Sequence, residues 1–356
     1  MIRKVTVIRG GVPTDLFEYI EDSYLISVQA NDALEQLRAG LPTWVSEEQY
    51  RAMNISLWMY YDDNCPNAFC CYNGGENYIA LSSALLVKLW NIANEFTGSE
   101  DLSLIFRVSE ENKQKLTETL YRHMLNFVIA HEYGHVAHGH LRENGRENTI
   151  DEVLKVSTGT MDEARRKDNW LLQLKEYDAD SFAVAINSAL LIQEWSDDLR
   201  ANRAKADVLF LSNYLCFRVF AENTGKNFDE YFSKDIDEYN HPYPGIRMYY
   251  SFIQYGYWIG VTHGFDSEET LAILESGSHA VIGYERTVLK KGEIKDSYFS
   301  VAFTEKGIQH VMRLNNEWNE LIDYFNQFAY CVIKKLGDIN NIPFSLDENG
   351  NFIRID

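Results

Sequence analysis

The pentapeptide His131-Glu132-Tyr133-Gly134-His135 constrains this chain more than any other feature. It lies in an apolar-periodic stretch that predicts a long helix over 111–141. Positions i and i+4 of a helix stack on one face, so both imidazoles can reach one metal ion. Glu132 lies beside them, placed to hold a water and take its proton as a general base. A fold that uses this pattern must bring a further ligand to that face from another element. Glu176-Tyr177-Asp178-Ala179-Asp180, on a helix predicted over 169–194, offers two carboxylates spaced i and i+4. One of Glu176 and Asp180 can complete a two-histidine, one-carboxylate zinc site with an open fourth position. The other can accept the remaining ring N–H of a ligand histidine and fix its tautomer. Apolar Leu171, Leu172, Leu174, Phe182 and Val184 flank the pair and argue against a solvated face.

The rest of the chain bounds the setting. With 356 residues and 46% hydrophobic residues it can bury a large core. A net charge of −20 repels phosphate backbones and anionic lipid, so nucleic acid is not an expected partner. No stretch reaches the length of a membrane span; 208–220 and 249–261 are too short and read as buried helices. Met1 to Gly11 lacks the apolar core of a signal peptide. Five cysteines, an odd number, fit reduced thiols in a cytoplasm better than a disulfide framework. The adjacent Cys70 and Cys71 are read as free buried thiols rather than a redox switch.

Along the chain, a strand is expected at 4–8 and a helix near 32–38. Alternation of Ile55, Leu57, Met59 and Tyr61 predicts a strand, and 68–72 and 78–81 form a hairpin around Asn73-Gly74-Gly75-Glu76-Asn77. Ser82 or Ser83 caps a helix running to about Phe96. Asn144-Gly145 is expected to stop the long helix, and the charged stretch 142–167 to lie mobile on the surface. A helix is expected over 204–223, strand-like pieces at 281–284 and 298–303, and a helix near 307–333.

The combination of H-E-x-x-H with a later E-x-x-x-D resembles the gluzincin zinc metallopeptidases, and in particular the CAAX prenyl protease family with its soluble mini-gluzincin relatives. Pro66-Asn67-Ala68-Phe69, Gly74-Gly75 and Tyr78-Ile79-Ala80-Leu81-Ser82 are similar to that family's N-A-F strand and following helix. Ile129-Ala130 precedes the motif and His138-Gly139-His140 follows it in a similar way, and Asn240-His241-Pro242 with Ile246-Arg247 resembles the family's H-P element before R-I. The likeness spans about residues 55–260 and departs from the family in lacking membrane spans, in Cys70-Cys71 and in both terminal extensions.

The resemblance implies an α+β fold: a zincin-type metallopeptidase core with a small mixed sheet over the H-E-x-x-H helix, plus N- and C-terminal additions. The expected divisions are 1–50, 51–260 and 261–356. It implies one Zn²⁺ held by His131, His135 and Glu176, Glu132 as general base, and Asp180 behind His131. His138, on the same helix face, is expected as a polar neighbour rather than a ligand. His241 is expected in the cleft as the donor to a developing oxyanion, with Tyr239 and Tyr243 as alternatives, and Arg247 to anchor that turn on an acidic neighbour. Asn67, Ala68 and Phe69 are expected on an edge strand that binds a protein or peptide substrate in extended form. His123, His140, His263, His279 and His310 carry no partner signal. The activity so implied is peptide-bond hydrolysis by a soluble zinc endopeptidase. A narrow-purpose regulatory, toxin-like or phage-response protease, a non-catalytic module keeping the fold, and a repressor-cleaving metallopeptidase are the alternatives; the N-A-F and H-P elements argue against the last.

Overall fold

In the computed structural model, the structure describes residues 3–9, 11–19, 24–40, 45–106, 108–142, 149–151, 162–224, 228–263, 267–291, 296–333, 344–346 and 352–354. The fold is α+β. Strands β1 (Lys4–Arg9) and β2 (Val12–Phe17) form a hairpin, followed by α1 (Tyr24–Gly40), α2 (Glu47–Met53), β3 (Ile55–Tyr60), β4 (Ala68–Asn73), β5 (Glu76–Ser82), α3 (Ser83–Gly98), the short α4 (Leu102–Ile105) and α5 (Glu110–Ala137). Strand β6 (Thr149–Asp151) leads to α6 (Glu163–Gln193), α7 (Leu199–Thr224), the short α8 (Phe228–Tyr231), α9 (Pro244–His263), α10 (Ser267–Thr287), α11 (Glu305–Phe325) and a small hairpin of β7 (Phe344–Leu346) and β8 (Phe352–Arg354). Among the described residues no helix is long and apolar enough to cross a membrane.

The main sheet is mixed, in the order β1-β2-β3-β5-β4-β6, with β3 and β5 parallel and the other pairs antiparallel. Alternation decides what each face of β4 and β5 meets. Ala68, Cys70, Ile79 and Leu81 join the main core with residues of α3 and α5. Phe69, Cys71, Tyr78 and Ala80 point the other way, into a second core with Val7, Leu16 and Tyr60. Both faces are buried, which is why the sequence of β4 reads as an unbroken apolar run. The sheet curls: Asn73 Nδ2 donates to Thr6 O (3.4 Å) and Thr149 Oγ1 to Ile8 O (3.2 Å), tying β4 and β6 back to β1. The Arg9 guanidinium lies over the rings of Tyr60 and Phe69, 5.1 and 4.9 Å from their centroids.

The β4–β5 turn is tighter than the sequence suggested. Asn73 pairs with Glu76, leaving only Gly74 and Gly75 in the loop, with φ of 61° and 97°. Such a two-residue turn needs positive φ at both positions, which glycine adopts without steric cost. Ser82, not Ser83, caps α3, accepting from Leu85 N–H at 3.0 Å.

Three sequence expectations need correction. Strand β4 is not an edge: β6 pairs with it at Phe69–Asp151, Cys70–Ile150 and Cys71–Thr149, while β5 holds its other side. Asn67 is also committed, its N–H donating to Ser82 Oγ and its carbonyl accepting from Ser82 N–H. The edge reading of Asn67, Ala68 and Phe69 therefore fails, because three residues from the charged 142–167 stretch fold back onto that strand. Thr149-Ile150 is a β-branched pair whose signal was hidden by the surrounding charge. Second, 281–284 belongs to α10 and 298–303 contains a 3₁₀ turn, Ser300–Phe303, rather than strands. Val281 and Tyr284 are buried from a helix, so packing overrode β propensity. Third, α5 ends at Ala137, with the chain reversing at Gly139, rather than running on to 141; Asn144-Gly145 lies outside the described residues.

That helix end positions the site. Gly139 has φ +74°; its N–H donates to Val136 O and the N–H of His140 to His135 O, both at 3.0 Å. This reversal, with a left-handed glycine just past the helix, satisfies the last carbonyls and returns His140 toward the helix. The segment after α11 closes over it, with Tyr330 N–H donating to Ala137 O at 2.8 Å. A Cβ at position 139 would lie 2.1 Å from Phe328 O. Gly139→Ala is therefore expected to destabilise the protein by about 2–4 kcal/mol, read from the shift in urea midpoint at unchanged slope. Gly98→Ala, with nothing within 4 Å of the added methyl, serves as the near-neutral control.

Candidate active site

Helices α5 and α6 cross closely because residue 134 has no side chain: a Cβ there would meet Phe182 Cβ at 3.1 Å and Ala179 Cα at 3.3 Å. Glycine on one helix facing alanine on the other lets the backbones approach. One turn from Ala179 along α6, Glu176 then reaches the two histidines of α5. His131 Nε2 lies 3.4 Å from Glu176 Oε2, and His135 Nε2 3.4 Å from Glu176 Oε1. The two Nε2 atoms are 2.9 Å apart, and the three donor groups converge within 4.8 Å. All three residues are buried.

The protons on these rings are already spoken for. His131 Nδ1 lies 2.7 Å from Asp180 Oδ1, an acceptor, which places the proton on Nδ1 and leaves Nε2 a lone pair. His135 Nδ1 faces His140 Nδ1 at 2.8 Å. The Nε2 lone pair of His131, Nε2 of His135 and a carboxylate thus point at one another in the interior. That arrangement repels itself unless a cation sits between, and ligands of a tetrahedral zinc stand about 3.4 Å apart by its usual bond lengths. The residues fit a zinc ion, and the chemistry of the donor set matches it.

Charge around the site is compensated group by group. Burial works to raise the Glu176 carboxyl, but His241, His135 and His131 outweigh it and hold it well below the ordinary range. Asp180 is likewise lowered against burial by Arg247 and His131. Arg247, at the start of α9, donates from Nε to Asp180 Oδ2 (2.8 Å) and from Nη2 to Oδ1 (2.9 Å), and its Nη2 stands 3.4 Å from Glu176 Oε2. Tyr250 OH donates to Asp180 Oδ2 as well. The expected acidic partner of Arg247 is thus Asp180 itself. Glu132 is fully buried, with the thiol of Cys70 beside it. Burial, then the charge of Glu132, push that thiol well up, so Cys70 stays protonated, an inert neighbour of the carboxylate.

His241 lies on the segment before α9. Its ring is buried, with Nε2 3.4 Å from Glu176 Oε1 and no hydrogen bond from either ring nitrogen among the described residues. Tyr239 is turned elsewhere, its hydroxyl donating to Tyr231 O at 3.1 Å. His138 stays outside the ligand cluster: its Nδ1 sits 2.5 Å from Asp178 Oδ2. Burial opposes charge on His138, but Asp178 and Cys331 overcome it and raise the imidazole to about 10. His140, in contrast, is lowered to about 3 by burial and is neutral.

Four residues of the site were not read from the sequence: His140, Asp178, Tyr250 and Trp318, whose Nε1–H donates to Asp178 Oδ1. Asp178 sits between Glu176 and Asp180 and could have been suspected from that position; the other three needed the fold. His123 and His310 are core histidines, each lowered to about 3 by burial. His279 is exposed.

Residues 45–169 match the model for Peptidase family M48, which bears out the resemblance to gluzincin zinc metallopeptidases of the CAAX protease-like kind. The matched stretch contains His131, Glu132 and His135; Glu176, Asp180, His241 and Arg247 lie beyond it. No curated protein and no solved structure matches the chain.

A ligand that binds only the folded state stabilises it in proportion to its occupancy, by about 2.7 kcal/mol at a hundred times Kd. Zinc is expected to raise the melting temperature and a chelator to lower it, in a ratio of one ion per chain by elemental analysis. His135→Ala and Glu176→Ala are each expected to abolish the zinc-dependent rise in a calorimetric scan.

Proposed function

We propose that this zinc metallopeptidase is an endopeptidase that cuts protein or peptide substrates with Glu132 as its general base. The observation that carries the reading is the convergence of His131, His135 and Glu176 with both histidine Nδ1 atoms already engaged. Zinc held there supplies Lewis acidity, polarising a scissile carbonyl and making water easier to deprotonate. Glu132, next in sequence to one ligand and on the same helix, takes the proton as water attacks the carbonyl carbon. It then gives that proton to the departing amine, so that the carboxylate is restored at the end of the cycle.

His241 is the proposed donor to the oxyanion that develops on the carbonyl oxygen. Its buried ring beside Glu176, with nitrogens uncommitted to hydrogen bonds among the described residues, supports this role. Asp180 and Arg247 hold His131 and Glu176 in register, the role that outer partners of metal ligands commonly play. Five free cysteines favour a reducing compartment such as the cytoplasm. The −20 charge disfavours nucleic acid as a partner.

Glu132→Gln is expected to bind zinc as the parent does and to lose hydrolysis, whereas equal cleavage by both in a proteome-wide cleavage profile would reject the enzyme reading in favour of a binding module. His241→Ala is expected to lower kcat about 10²-fold with zinc content intact, the scale of one lost oxyanion donor. Full activity in that variant, with Tyr243→Phe inactive, would transfer the role to the tyrosine.

A further inference from the structure

We propose that His140 is a positioning residue for the metal ligand His135, and that helix α11 holds His140 in place through Asp178, Trp318 and Phe325. The proposal rests on the reading of His131, His135 and Glu176 as a metal site and adds the C-terminal part of the chain to it.

Two ring nitrogens 2.8 Å apart share one proton, so one of His135 Nδ1 and His140 Nδ1 donates and the other accepts. Asp178 decides which. Its Oδ2 lies 2.9 Å from His140 Nε2, off the line of a straight hydrogen bond, so electrostatic attraction rather than ideal geometry draws the proton to that side. A carboxylate only accepts, so the ring N–H that faces it is that of His140 Nε2, which leaves His140 Nδ1 as the lone pair toward His135. His135 must then donate from Nδ1, which leaves its Nε2 unprotonated and facing His131 and Glu176. The reverse assignment would put an N–H of His135 into the position where a metal has to bind.

The relay is anchored from α11. Trp318 Nε1–H donates to Asp178 Oδ1 at 2.8 Å, occupying the second oxygen and fixing the rotation of the carboxylate. Phe325 packs on the His140 ring, with centroids 5.4 Å apart. The glycine reversal at Gly139 brings His140 back beside His135. His131 has the same arrangement one step shorter, since Asp180 accepts its Nδ1–H directly. The two ligand histidines are therefore fixed by two carboxylates of α6, one directly and one through a third imidazole.

The test is zinc affinity by competition with a chromophoric chelator, together with ring-nitrogen NMR of histidine-labelled protein. His140→Phe is expected to weaken zinc binding about 10–100-fold. His140→Gln, which retains an acceptor and a donor, should recover most of it, and Trp318→Phe should weaken binding by a smaller factor. In the wild-type spectra His135 should carry its proton on Nδ1 and His140 on Nε2. Unchanged affinity in folded His140→Phe, or a proton on His140 Nδ1, overturns the proposal. Should His140→Phe fail to fold, the wild-type tautomers decide alone. A wild-type chain that binds no zinc would instead defeat the metal-site reading, while the tautomers of the metal-free protein would still settle which histidine donates.

Discussion

The close crossing of α5 over α6, at Gly134 against Ala179, is the constraint on which the rest depends. It places three carboxylates of one helix, Glu176, Asp178 and Asp180, in an interior where an unpaired ion costs several kcal/mol. Everything around them answers that cost. Glu176 faces three imidazoles, Asp178 takes two imidazoles and an indole N–H, and Asp180 takes a guanidinium, an imidazole and a phenol. The architecture beyond the two helices exists in large part to deliver those partners: α9 brings Arg247 and Tyr250, the segment before it His241, and α11 Trp318.

The surroundings divide accordingly. On one side of α5 lies the mainly aliphatic core shared with α1, α3 and α7, with phenylalanine and tyrosine rings among its leucines, isoleucines and valines. Behind α6 lies a core dominated by aromatic side chains: Trp170, Tyr177, Tyr231, Tyr239, Tyr243, Tyr250 and Trp318. Tyrosine and tryptophan combine apolar bulk with one polar tip, which suits a wall that must be packed and still offer donors to buried carboxylates. Tyr177 shows the pairing, stacking near Tyr250 and Trp318 while its hydroxyl donates to Asn315 Oδ1.

The parts of this arrangement written in local sequence were legible, and those created by distant chain segments were not. The two i, i+4 pairs announced His131, His135, Glu176 and Asp180, because helix geometry alone puts such residues on one face. The glycine pair at 74–75 and the serine cap at 82 were readable for the same reason. His140 stands in the His138-Gly139-His140 stretch that resembles the family but carried no partner signal, since its role comes from a reversal at Gly139 and from a helix far along the chain. Strand β6 escaped because three residues between charged flanks have too little pattern to outweigh their neighbours, and its pairing with β4 is a tertiary event. The strand-like readings in the C-terminal part failed where burial, not propensity, chose helix.

The curled sheet separates what is recognisable from what can fold. The stretch that matches the peptidase family begins at residue 45, after the β1–β2 hairpin and α1. Yet Val7 and Leu16 of that hairpin fill the inner wall of the sheet beside Tyr60, Phe69 and Tyr78, and Arg9 covers the last of the aromatic faces. A fragment cut at the family boundary would bare that wall and open the flank of β3, an apolar surface with unpaired strand groups that invites association with copies of itself. The recognisable peptidase stretch is therefore shorter than the smallest piece of this chain that could be excised and kept in solution.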